Sequence, residues 1–269
     1  MKLDDKKRVV IKIGTSTLTH ATGRLNIRRV ESLVKAIADL QNAGREILVV
    51  SSGAIGVGMG KLGMHKRPAD MPTKQALAAI GQCELMYLYD KLFEEYNHTV
   101  AQVLLTRDVI DNGAIKDNVV NTLMRLIELR TIPIINENDT VSVDEIGGAT
   151  TTFGENDTLS AIVAQLVQAD LLVVLSDIDG LYDCDPRTHS DAKLIPLVTQ
   201  IDDTICGYAG GKGSSLGTGG MLTKLHAANL VLNRGIDMAI INGAKQDALY
   251  DFFDGKQLGT VFSALKPRG

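Results

Sequence analysis

Val9-Val10-Ile11-Lys12-Ile13-Gly14-Thr15-Ser16-Thr17 is an apolar, β-branched run broken by one lysine and closed by glycine and hydroxyl residues. A run apolar at successive positions, with no polar alternation, reads as a strand covered on both faces. Four more have the same form: Ile47 to Val50 before Ser51-Ser52-Gly53, Val100 to Leu105 before Thr106, Ile132 to Ile135 before Asn136, and Leu171 to Leu175 before Ser176-Asp177. Between them Ile27 to Ala43, Thr73 to Glu95, Asn118 to Leu129 and Thr158 to Gln168 carry apolar residues at three- and four-residue spacing, the helical period. Alternating strands and helices predict an α/β fold, a mainly parallel open sheet with helices on both faces. Ligands of such sheets bind beyond the carboxyl ends of the strands, where the Gly, Ser, Asn and Asp clusters of this chain fall.

The 269 residues suit one such domain spanning 1–269, and no linker divides them. With 45% hydrophobic and 22% charged residues the composition is that of an ordinary globular protein. The net charge of −4 arises from 28 basic and 32 acidic residues dispersed along the chain, so no nucleic-acid or membrane footprint stands out and a small ligand is expected. No stretch reaches the ~18 apolar residues of a membrane span, and the charged start reads as neither signal nor anchor. Cys83, Cys184 and Cys206 are isolated from one another, which predicts a reducing cytoplasm and no metal or disulfide role.

Four features carry chemistry. Lys12 interrupts a buried strand: it is either an edge lysine snorkelling to water or an ammonium placed beside a bound phosphate. The segment Gly211 to Lys224, GKGSSLGTGGMLTK, runs into a helical pattern, so backbone N–H groups and a helix N-terminus can face one anion. The same composition also suits a surface loop, and no Gly-Lys pair followed by Ser or Thr makes a Walker loop. Asn136-Glu137-Asn138-Asp139 and Glu155-Asn156-Asp157 are acidic-amide clusters, one at a strand end and one opening a helix; each reads as caps and turns or as ligand groups. Gly58, Gly60 and Gly63 match G-x-G-x-x-G but lie several residues past the strand ending at Val50, so a dinucleotide reading is set aside. Thr140 to Phe153 and Gly180 to Gly219 break the alternation and are expected to be hairpins or lids.

In this order the segments VVIKIGTST, VVSSGAIGVG, PIINENDTV, FGENDTLSA, LSDIDGLYDCDPR and GTGGMLTK resemble the amino acid kinase family, from about Val9 to the helix after Lys224. Their wording looks like the branch that phosphorylates the side-chain carboxylate of free L-glutamate at the start of proline biosynthesis. The resemblance implies a three-layer αβα sandwich with an open, mainly parallel sheet. Carried over by position, it implies that ATP is bound by Lys12, Ser176, Asp177, Thr218, Gly219, Gly220, Met221, Leu222, Thr223 and Lys224. It assigns glutamate to Ser52, Asp139 and Asn156, and gives Asp157 the orienting of Lys12 and Lys224. It further implies inhibition by proline and a homo-oligomer, dimer or tetramer. Glu155 stands where the family often has Asp. Many members carry a further C-terminal RNA-modification-enzyme-like PUA domain, which is not expected in a chain ending at Gly269. Acetylglutamate kinases share the architecture but usually have Gly-Gly where this chain has Gly14-Thr15.

The chemistry agrees with that resemblance. A side-chain carboxyl with an ordinary pKa of about 4.3 is already an anionic nucleophile at neutral pH, so no general base is needed. Phosphoryl transfer needs charge neutralisation, which Lys12, Lys224 and Mg²⁺ supply. The metal is expected to ride on ATP oxygens and water, with no dedicated protein ligand set. The α-ammonium of free glutamate calls for an anion such as Asp139, whereas acetylglutamate has no such cation. Acetylglutamate, aspartate, carbamate or UMP as substrate, and a catalytically silent amino-acid sensor, are the alternative readings. His20, His65, His98, His189 and His226 lie outside the clusters.

Overall fold

The computed structural model describes residues 3–20, 22–106, 112–141, 156–209, 220–245 and 247–263. Their strands form one eight-stranded sheet: β1 (Arg8–Ile13), β2 (Glu46–Ser51), β3 (Val100–Leu105), β4 (Ile132–Glu137), β5 (Leu171–Ser176), β6 (Leu197–Val198), β7 (Asp237–Asn242) and β8 (Thr260–Phe262). The order is β3-β4-β2-β1-β5-β7-β8-β6. Neighbours are parallel except that β8 runs antiparallel to β7. The helices among the described residues are α1 (Thr15–Leu18), α2 (Ile27–Asn42), α3 (Ala54–Lys61), α4 (Met71–Glu94), α5 (Gly113–Glu128), α6 (Asn156–Leu166), α7 (Asp203–Tyr208), α8 (Met221–Leu232) and α9 (Ala248–Phe253).

The pleat divides each central strand between two cores, as its period of two requires. Val9, Ile11 and Ile13 with Ile47 and Val49 pack on the layer of α2, α3, α4 and α9. Val10, Leu48, Val50, Leu172 and Val174 pack on the layer of α5, α6 and α8. The result is the expected three-layer αβα sandwich. Lys12 belongs to the second set, so its stem runs under α6 and α8. It is not an edge lysine, because β1 pairs on both sides.

The five expected strands are present within a residue or two of their predicted limits. β7 extends the parallel run by a sixth strand, and the short β6 and β8 close that side; these three were not anticipated. Helix α2 starts at Ile27 as expected, whereas α4, α5 and α6 start two to five residues earlier than their periodicity indicates, because caps lie outside the apolar pattern. Asn112 accepts from the backbone N–H groups of Ala114 and Ile115 at 3.1 and 3.4 Å and opens α5. Asp70 accepts from Thr73 N–H at 2.9 Å ahead of α4.

Helix α3 is the main departure from expectation. Gly56, Gly58 and Gly60 argue against a helix by propensity, yet close packing requires two of them. A Cβ on Gly58 would sit 2.1 Å from the Leu77 carbonyl oxygen and one on Gly60 2.3 Å from that of Gly23. On the facing helix, a Cβ on Gly81 would sit 1.8 Å from the Ala54 carbonyl oxygen. Of the G-x-G-x-x-G match, Gly58 therefore packs on α4 and Gly60 on the turn at Gly23, while Gly63 follows the helix with open space around it. Residues 181–195 form the hairpin expected within 180–219: Tyr182 bridges Leu194, and Ile195 N–H donates to Leu181 O at 2.8 Å. The lid expected at 140–153 lies almost wholly outside the described residues, as does the glycine-rich part of the second stretch.

Candidate active site

Parallel register sets the strand ends level. Ile13 pairs with Ser51 on one side and Leu175 on the other, and Val50 pairs with Ile135. Gly14, Ser52 and Ser176 therefore leave three adjacent strands at one height, with Asn136 beside Ser51. Gly53 turns β2 into α3 at φ 89°, a left-handed value that favours glycine, and a Cβ there would be 3.0 Å from Thr15 Cγ2.

Asp157 lies in the first turn of α6 and is 1% exposed. Its Oδ1 is 2.7 Å from Lys12 Nζ and its Oδ2 3.1 Å from Lys224 Nζ, so one carboxylate spans two buried lysines. The Thr223 hydroxyl lies 2.8 Å from Asp157 Oδ2 and 2.8 Å from the Gly220 carbonyl oxygen. Burial opposes ionisation of Asp157, but the charges of Lys12 and Lys224 with these hydrogen bonds outweigh it and hold the carboxyl well below the usual carboxylate range. It is thus an anion that places two cations, and no proton acceptor. Among the described residues, two ammonium groups on one carboxylate leave a surplus positive charge under the strand ends, which a bound anion can balance. Lys224 stands in the first turn of α8, whose N-cap Gly220 offers no side chain to the leading N–H groups.

A second cluster adjoins the first through α6. Asn156 Nδ2 lies 2.8 Å from Ser52 Oγ, 3.1 Å from the Ser51 carbonyl oxygen and 3.3 Å from Asn136 Oδ1. Asn136 Oδ1 also accepts the Glu137 N–H at 2.9 Å, and Asn136 Nδ2 donates to Gln82 Oε1 at 2.9 Å. Asp139 is half-buried just beyond β4. Ser176 is buried at the end of β5, its hydroxyl 3.3 Å from Asp177 Oδ1, and Asp177 is exposed.

Of the residues expected to act, Lys12, Asp157, Thr223 and Lys224 come together directly, as do Ser52 and Asn156. Ser176 and Asp177 lie along the same rim, Gly220, Met221 and Leu222 lead into α8, and Thr218 and Gly219 lie outside the described residues. Sequence reading did not single out Gln82, Ser51 or Asn136 by itself. For Gln82 a signal exists: it falls on the apolar face of α4 with Ala78, Leu85 and Tyr89. Another cluster went unread as well, in which Asp179 Oδ1 accepts from Asn242 Nδ2 and pairs with Lys245 Nζ, both at 2.8 Å. A cavity of about 620 Å³ between α2 and the loop after β7, lined by Arg28, Arg29, Leu33, Gly243 and Lys245, contains none of the expected site residues. Among the described residues no helix is long and apolar enough to cross a membrane.

Comparison with known proteins bears on the whole chain. The model of the amino acid kinase family matches residues 7–242. The chain is 53% identical to glutamate 5-kinase of Clostridium perfringens over 98% of each protein. It is 51% identical to glutamate 5-kinase of Listeria monocytogenes, over 98% of this chain and 95% of that one. Among solved structures, the UMP kinase of Bacillus anthracis superposes with a TM-score of 0.64 at 17% identity, covering 97% of each chain. The isopentenyl phosphate kinase of T. acidophilum gives 0.65 at 18%, covering 95% of this chain and 100% of that one. At those identities the two structures speak for the fold alone.

Proposed function

The chain belongs to the amino acid kinase family, and we propose that it is a glutamate 5-kinase, transferring the γ-phosphoryl group of ATP to the side-chain carboxylate of L-glutamate for proline biosynthesis. The observation that carries the chemistry is the buried Lys12–Asp157–Lys224 cluster with its surplus positive charge. The relatives' names supply the substrate.

In this reading a γ-carboxylate oxygen attacks the γ-phosphorus, the bond from that phosphorus to the β,γ-bridging oxygen breaks, and ADP leaves with the electron pair. No proton moves, which suits a site where Lys12 and Lys224 hold Asp157 ionised. Lys12 and Lys224 neutralise charge spread over the transferred group and the leaving oxygen. Asp157 fixes their separation. The N–H groups opening α8 receive phosphate, and Ser176 and Asp177 border the nucleotide. Mg²⁺ would be held on ATP oxygens and water and would add to the neutralisation that Lys12 and Lys224 supply from this chain. Ser52, Asn156 and Asp139 form the amino-acid end, with Asp139 facing the α-ammonium.

Hydroxylamine trapping of the acyl phosphate with Mg-ATP and a panel of glutamate, acetylglutamate, aspartate and carbamate tests the reading. Glutamate is expected to give the product. Turnover of another panel member alone would replace the substrate and keep the reaction class, and no acyl phosphate from any of them would end the reading.

Inhibition by proline belongs to the same proposal. Proline has glutamate's α-carboxylate and cationic nitrogen but no nucleophile for ATP, so it fits the amino-acid end near Asp139. The stretch from Thr140 to Phe153 that follows Asp139 lies almost wholly outside the described residues. Linkage then requires saturating glutamate to relieve inhibition; equal potency at low and saturating glutamate would rule out a shared site. A cytoplasmic homo-oligomer, dimer or tetramer, completes the proposal, and light scattering of the purified chain tests its assembly.

A further inference from the structure

Two backbone groups decide the orientation of three side-chain amides. The Ser51 carbonyl can only accept, so the part of Asn156 lying 3.1 Å from it is the NH₂ group. The Glu137 N–H can only donate, so the Asn136 atom 2.9 Å away is its carbonyl oxygen. That oxygen also receives Asn156 Nδ2, and the Asn136 NH₂ is left facing Gln82, whose Oε1 accepts it at 2.9 Å. The chain of amides therefore has one consistent arrangement, with Gln82 at its end.

Gln82 reaches this place through helix packing. Its neighbour Gly81 carries the Ala54 carbonyl against α4, and Ala54 follows Ser52 and Gly53 directly. Gln82 is 8% exposed, and its Nε2 is buried with no hydrogen-bond partner among the described residues. An amide on the apolar face of a helix, with one end committed and the other unpaired, is costly to keep for packing alone. A hydrophobic residue of similar volume would leave the buried Asn136 NH₂ without its acceptor.

We propose that Gln82 is a positioning residue for the amino-acid substrate. Its Oε1 holds the NH₂ of Asn136 in place, and the carbonyl oxygen of Asn136 in turn receives Asn156 Nδ2 beside Ser51 and Ser52. The Asn156 carbonyl oxygen is thereby turned away from those partners, as an acceptor for the substrate's ammonium group. Without Gln82 the buried Asn136 NH₂ loses its acceptor, and Asn136, still oriented by the Glu137 N–H, shifts toward another partner and loosens its contact with Asn156. This assignment rests on the reading of the Ser52–Asn156 cluster as the amino-acid end.

The test is steady-state kinetics of Gln82→Met and Gln82→Glu beside the unaltered chain. Loss of one neutral hydrogen bond predicts that Gln82→Met raises the KM for glutamate roughly 3- to 10-fold, with kcat and the KM for ATP within about twofold. Gln82→Glu keeps an acceptor facing Asn136 and should restore most of the loss. In an Asn156→Ala background Gln82→Met should have little further effect, because its influence passes through Asn156. An unchanged glutamate KM in Gln82→Met, a rise in ATP KM in step with it, or additive effects with Asn156→Ala would each overturn the assignment. The unaltered chain separates the two levels of inference. If it makes acyl phosphate from glutamate and Gln82→Met behaves like it, the Gln82 assignment alone falls. If it prefers another acidic substrate, the glutamate reading falls, and the same KM split is read on that substrate.

Discussion

At the scale of single residues, Asp157 holds the site together by facing two ways. Lys12→Ala and Lys224→Ala each remove one transition-state cation and leave Asp157 paired with the other lysine. Each is expected to lower kcat by on the order of 10² to 10³ while the chain still folds, measured by coupled ADP release and circular dichroism. Asp157→Ala behaves differently, because it leaves two buried ammonium groups without their anion. A loss on the order of 3–5 kcal/mol of stability is expected in urea unfolding, and retention of full stability would show that the lysines find other partners. Asp139→Ala should raise the KM for glutamate by about 10- to 150-fold, the value of a hydrogen bond to a charged group, and leave the KM for ATP nearly unchanged. An equal rise for ATP would place Asp139 at the other end of the cleft.

At the scale of elements, the α3–α4 contact carries the amino-acid end. The turn Ser52-Gly53 enters α3, and α3 lies against α4 so closely that Gly58 and Gly81 have no room for a methyl group. Gly81→Ala must push Ala54 away and is expected to cost about 1–3 kcal/mol by overpacking and to raise the glutamate KM as Ser52 shifts. A control lies at Gly113, which opens α5 with a negative φ and has open space for 4 Å around the point where a Cβ would sit. Gly113→Ala should be neutral or stabilising by up to about 1 kcal/mol. Thermal melts of both variants, read with their glutamate kinetics, distinguish a loss of packing from a general intolerance of substitution.

At the scale of the whole molecule, two buried titrating groups on opposite faces of the sheet set the pH limits of the fold. Tyr89 on α4 is wholly buried; burial pushes its hydroxyl up to about 12, against the lowering effect of its 3.1 Å hydrogen bond with Ser51. A phenol raised above its ordinary value of about 10 stays protonated in the folded chain after the unfolded chain has ionised. Its contribution is therefore complete below about pH 10 and is lost progressively from there to about 12, a change on the order of 2–3 kcal/mol. Asp157 has the opposite sign. Its carboxyl is held below the usual range, so its contribution is complete above the ordinary carboxylate value near pH 4 and fades only in stronger acid. Urea unfolding across pH 3 to 12 should show a plateau between these limits. A Tyr89→Phe variant whose alkaline limb is as steep as the original would show that another group sets the alkaline limit.

The sheet, its parallel sense and its two helical covers were legible in the sequence, because each buried strand is a contiguous apolar run and local patterning suffices to mark it. The acidic-amide clusters and the two lysines were legible for a related reason, since polar residues at strand ends and helix starts stand out against apolar neighbours. β6 and β8 were not legible, being two and three residues long and fixed only by pairing at the sheet's edge. Helix α3 was hidden by its glycines, and the need for Gly58 and Gly60 appears only when α4 and the turn at Gly23 lie against them. The union of Lys12 with Asp157 and Lys224 across α6 and α8, and that of Gln82 with Asn136 across 54 positions, are likewise long-range facts. Sequence alone determined which groups this chain presents at the ends of its strands. Tertiary structure decided which of them share a charge or a hydrogen bond, because those partnerships depend on the side to which each strand turns its residues and on how closely the covering helices approach.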